Sequence, residues 1–130
     1  MTTLTITEPI VTAPAVPSHI TDLVDTLTGF HPALDRAVQA LEDLAAADLN
    51  ADQSQSAVAA LGGLCDGSFA TLVGLVVRHI ADPDANPALV GLPADRKQTL
   101  RRLGAEYAAG ADDWRQQALA SDASAAIEGV

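Results

Sequence analysis

Aromatic side chains are scarce in this chain: one Trp, one Tyr and two Phe among 130 residues, or 3%. That excludes a core built on large rings, so apolar volume has to come from Leu, Val and Ala. Cysteine occurs once, as Cys65, which excludes an intrachain disulfide and fits a reducing cytoplasm. Cations are few, 7 Lys and Arg against 17 Asp and Glu, for a net charge of -10. This balance disfavours non-specific binding to nucleic acid or to an anionic membrane. The most apolar run, Phe69 to Val77, falls well short of the roughly 20 residues that span a bilayer. The N-terminus has no basic region followed by an apolar stretch, so no targeting signal and no membrane partner are expected.

Chemistry-bearing patterns are equally sparse. His19, His31 and His79 are the only histidines, and none stands at HExxH or CxxC-type metal-ligand spacing. No ExxH pair marks a carboxylate-bridged metal bundle. Gly62, Gly63 and Gly67 are not followed by the Gly-Lys-Ser/Thr of a phosphate loop. Cys65 shows no neighbouring base that would activate it. The acids Asp35, Glu42, Asp43, Asp112 and Asp113 read as a solvated surface rather than a catalytic pair. No catalytic residue, cofactor or metal is therefore predicted, and the chain reads as non-catalytic.

What is present is helix-forming. Hydrophobic residues make up 48% of the sequence, many of them Ala, the strongest helix former. The alanine-rich, lysine-poor usage fits a GC-rich bacterial or phage genome. The reading is all-α: a small antiparallel bundle of three long helices, the central one kinked or split, behind a short N-terminal helix. Residues 1–17 form an extended Thr/Pro-rich tail, 18–120 the bundle domain and 121–130 a frayed C-terminal tail.

In that reading Ser18 caps a first helix with the stripe Ile20, Leu23, Val24 and Leu27, ended by Gly29. Pro32 opens a second, striped by Leu34, Val38, Leu41 and Leu44. Asn50 and Gln53 form a capping box for the central helix over 51–82. Along it Val58, Leu61, Cys65, Phe69, Leu72, Val76 and Ile80 recur at helical spacing. Ala60, Gly63, Gly67, Ala70 or Thr71, Gly74 and Ala81 form an edge almost free of bulky side chains, roughly 160° away. The bulky stripe crosses Gly62, Gly63 and Gly67 in phase, which favours one helix over a division near Asp66. A last helix over 94–120 carries Leu100, Leu103, Tyr107, Gly110 or Ala111, Trp114 and Ala118 toward the core.

Three surfaces could meet a partner. The tail holds Ile6, Ile10 and Val11, too apolar for a purely solvated segment. The ridge of Gly63, Gly67 and Gly74 admits another backbone, either the Gly104/Gly110 edge of the last helix or a second copy of the chain. Arg96, Lys97, Arg101 and Arg102 hold four of the seven basic residues. The expected function is a cytoplasmic protein that mediates protein–protein interaction or assembly, with a protein partner or a homodimer. A nucleic-acid regulator using Arg96–Arg102 is the alternative, although the net acidity makes nucleic acid the weaker partner. A helical bundle with a ligand pocket or enzymatic site near His79, Tyr107 or Trp114 is the third reading.

Overall fold

A computed structural model describes residues 16–63 and 67–128. The described residues are all-α, six helices with no strand. They divide into two compact units, Met1–Leu49 and Asn50–Val130. The expected tail candidates Ile6, Ile10 and Val11 lie outside the described residues.

The first unit holds α1 (Ser18–Leu27) and α2 (Pro32–Ala46). Pro17, one residue earlier than expected, is the N-cap of α1. Gly29 has φ +103, and its N–H donates to the Asp35 carboxylate at 2.9 Å. The His31 Nδ1 accepts from the Ala33 N–H at 2.9 Å, so this histidine caps α2 while Pro32 fills the first turn. The stripes of the two helices line an apolar groove of about 220 Å³, with Leu23, Val24, Val38 and Leu41 among its walls.

The second unit starts with α3 (Ala51–Val58), entered through the Asn50–Gln53 capping box as expected. A single π turn, Ala59–Gly63, follows. The next helix, α4 (Phe69–Ala81), begins afresh, which corrects the expectation of one helix over 51–82. Gly67 stands at φ +126, a conformation that side chains resist, and Ser68 is extended. The Ser68 N–H donates to the Thr71 hydroxyl at 3.2 Å, and helical bonding restarts from the Ser68 carbonyl to the Leu72 N–H. Periodicity stays in phase across the break because the two segments carry the same kind of apolar face; phase does not require continuity.

Asp82 and the buried Pro83 end α4. The Asn86 amide donates to the Ile80 carbonyl at 2.9 Å, satisfying one open group of the last turn. In the link over 82–93 between α4 and the next helix, Leu89 and Leu92 are half-buried and Val90 is exposed.

The expected last helix is also two: α5 (Ala94–Ala111) and α6 (Trp114–Glu128). Asp112 leaves the helical conformation. Asp113 then restarts the chain, its carboxylate accepting from the Arg115 N–H at 2.9 Å and its carbonyl from the Gln117 N–H. The 121–130 segment, expected to fray, is helical as far as Glu128. It is held because the buried Ser124 hydroxyl donates to the Gln55 carbonyl at 3.1 Å.

Candidate functional site

The second unit is built from two helix pairs that meet along small residues. In the first, Gly74 of α4 lies against Ala108 and Ala111 of α5, and Gly104 of α5 lies against Arg78 and Ala81 of α4. The contacts step in opposite order along the two helices. A Cβ on Gly74 would stand 2.6 Å from the Ala111 Cβ and 3.2 Å from the Ala108 Cα. In the second pair, α3 and the π turn lie on α6. A Cβ on Gly63 would meet the Ser121 backbone nitrogen at 2.8 Å and the Ala120 carbonyl carbon at 3.0 Å. Gly63 meets backbone atoms, and Gly74 meets the Ala111 Cβ and the Ala108 Cα, so neither leaves room for a side chain.

This arrangement corrects the face expected to be buried on the last helix. Of the expected stripe Leu103, Tyr107 and Trp114 are exposed, Leu100 is half-buried and Ala111 meets α4, where it is joined by Gly104 and Ala108. Trp114 is 70% exposed, with the Arg115 guanidinium 5.6 Å from its ring centroid. The physical reason is distance: glycine and alanine let two helices approach to backbone contact, and bulky side chains at the same face would hold them apart.

The packing within the second unit leaves the bulky stripe of α4 uncovered as a consequence. At about 100° per residue, Phe69, Leu72, Val73, Val76 and Ile80 fall within one arc of roughly 100°, on the far side from Gly74. All five are exposed, Leu72 by 53%, Val76 by 46% and Ile80 by 57%. Among the described residues no large side chain is fully buried, and the buried apolar side chains are the small ones of Ala108 and Pro83. Bulky apolar side chains normally supply about 1.5–3 kcal/mol each when removed from water. Here much of that free energy is not collected within the unit.

The ridge residues of the sequence reading are thus separated. Gly63 and Gly74 are taken up by contacts inside the chain, and Gly67 sits at the helix break. A Cβ on Gly110 would meet nothing within 4 Å, so this glycine takes no part in either pair.

The basic cluster is partly neutralised. Arg101 donates from Nε and Nη2 to the two Asp84 carboxylate oxygens at 3.3 and 3.1 Å. Arg102 pairs with Glu106 one turn later at 3.1 Å. Hydrogen bonding to Arg101 holds the Asp84 carboxyl below the usual carboxylate range. That pairing therefore helps at pH above the ordinary carboxylate range and is lost as pH falls through the lowered Asp84 value. Arg96 is exposed and Lys97 half-buried, and neither is in an ion pair among the described residues.

Arg101 also lines an open depression of about 440 Å³ with Leu75, Arg78, His79 and Asp82. Tyr107 and Trp114 do not line it, so the three residues of the ligand-pocket reading are not brought together there. Among the described residues no group of three His, Cys, Asp or Glu side chains could hold a metal ion, and no helix is long and apolar enough to cross a membrane.

One carboxylate that the sequence reading leaves on the surface, Asp112, also links elements. The Asp112 carboxylate accepts from the Thr71 hydroxyl at 3.4 Å and from the Gln117 amide at 2.6 Å, tying the start of α4 to the α5–α6 junction. The available signal is the Asp112–Asp113 pair itself, since Asp favours helix N-caps over helix interiors. Neither a family model, nor a known protein, nor a solved structure matches this chain.

Proposed function

We propose that this chain is a non-catalytic helical assembly protein whose α4 stripe seats against another polypeptide. The observation that supports this reading is the division of labour on α4. Its small edge is used up against α5, and its bulky edge, Phe69 to Ile80, faces outward. A contiguous apolar face on a helix is a feature of interaction surfaces. The helix-in-groove and helix-on-helix modes of recognition use the same i, i+3, i+4, i+7 anchors.

The test is Val76→Glu in the full chain. Val76 is exposed, so the substitution should leave helicity by circular dichroism unchanged. The expected result is loss of stoichiometric association, with itself or with another protein, measured by light scattering on material purified from the cells that make it. An assembly of unchanged mass and composition would remove α4 from the account.

A further inference from the structure

We infer that the depression between α4 and α5 holds the phosphate group of a small soluble phosphomonoester, with Arg78, Arg101 and His79 as its donors; this does not depend on the assembly reading above. The first observation is where the cations stand. Acids outnumber bases 17 to 7 in this chain, so there is a carboxylate for every cation. Two arginines and one of the three histidines nevertheless line a single hollow of about 440 Å³, with Asp82 as its one acid. Arg78 is in no ion pair among the described residues. The Asp82 carboxylate is already engaged, accepting from the Asp84 N–H at 2.9 Å. A place on the last turn of α4, where cations favour the macrodipole, accounts for Arg78 and His79. It does not account for Arg101, which comes from the other helix.

The second observation is how the walls are held. A Cβ on Gly104 would stand 3.3 Å from the Arg78 Cα, so α5 closes on α4 at the root of Arg78, one turn beyond Arg101. Asp84 then orients the Arg101 guanidinium, accepting from its Nε and Nη2. A guanidinium carries five N–H donors, so most of them stay open to a ligand. The choice of phosphate follows from shape. A carboxylate is flat and satisfies one fork, as Asp84 does. A tetrahedral phosphate carries oxygens on several sides and can accept from two guanidinium groups and an imidazole together. Leu75 supplies an apolar wall for the organic part, and the volume lies within the range of small-molecule sites, about 300–1,000 Å³.

The experiment titrates the full chain with glycerol 3-phosphate and with inorganic phosphate at constant ionic strength, read by backbone amide chemical shifts. Saturable shifts centred on 75–82 and on the turn of α5 around 101 are expected, with a Kd of about 1 mM or tighter. Arg78→Gln should weaken binding roughly tenfold or more, the worth of a charged hydrogen bond. Helicity should be unchanged, since Arg78 is exposed. Arg115→Gln removes the same charge from α6, outside the depression, and should leave the affinity within about twofold. Equal losses in the two variants would reduce the binding to net charge and overturn the site. Succinate binding as tightly as the phosphates overturns the choice of phosphate. Shifts that do not saturate, or that miss 75–82 and 101, overturn the inference outright. Binding seen only with vesicles containing phosphatidic acid, and lost in Arg78→Gln, overturns the soluble ligand in favour of a lipid phosphate. None of these outcomes touches the α4 stripe, which Val76→Glu tests separately.

Discussion

Gly74→Leu is expected to destabilise the chain by about 1–3 kcal/mol, the cost of forcing bulk into a closed contact. For a unit of this size that corresponds to a fall of roughly 5–20 °C in the unfolding midpoint. The reason is geometric. Even the first added carbon would stand 2.6 Å from the Ala111 Cβ and 3.2 Å from a backbone atom of Ala108. A carbon fixed to the backbone cannot rotate away, so α5 itself has to move. Helix propensity works in the opposite direction, because a glycine inside a helix costs up to about 1 kcal/mol against alanine. The control is Gly110→Ala, where nothing lies within 4 Å. There only the propensity gain remains, so the midpoint should hold or rise. In one thermal-unfolding experiment Gly74→Leu should lower the midpoint while Gly110→Ala does not.

Gly63→Ala is expected to cost a comparable amount, about 1–3 kcal/mol, although it adds a single methyl group. Its Cβ would fall 2.8 Å from the Ser121 nitrogen and 3.0 Å from the Ala120 carbonyl carbon, both main-chain atoms of α6. Relief requires α6 to lift from the π turn. That movement would lengthen the buried bond from the Ser124 hydroxyl to the Gln55 carbonyl, the tie between α6 and α3. Amide hydrogen exchange should therefore accelerate in α6, residues 114–128, before it changes in the α4–α5 pair. Uniform acceleration across the unit would place the damage elsewhere.

Local chemistry makes much of this fold legible. Pro32, the Asn50–Gln53 box, Gly29 and Pro83 mark helix ends by rules that act within a few residues, and the ends stand where those rules put them. The break between Gly63 and Phe69 and the one at Asp112–Asp113 are not legible from periodicity. An apolar repeat records which sides of a segment avoid water, and two helices in series can share one repeat. Turn chemistry carries the missing signal, in Gly67–Ser68 and in the paired aspartates.

The larger difference concerns which apolar side is covered. Bulk alone points to burial, which puts Leu103, Tyr107 and Trp114 inside, and all three are exposed. The contacts run through Ala111, one of the two positions the stripe allows there, together with Gly104 and Ala108. On α4 the two edges are legible as distinct, and a seat for Gly74 against the Gly104 side of the last helix is one of the two options the ridge allows. What periodicity does not contain is whether a bulky edge is completed by the same chain or by another. In the structure that edge is open over Leu72, Val76 and Ile80, and its completion by a second chain is the central claim.

Equilibrium unfolding by urea at two chain concentrations, about 1 and about 100 µM, tests that claim most directly. If folded chains pair through α4, the denser sample should be more stable by about 2.7 kcal/mol per mole of dimer, about 1.4 kcal/mol per chain, the mass-action gain for a hundredfold change. Identical midpoints at the two concentrations would mean that the folded state draws no stability from a second copy of this chain.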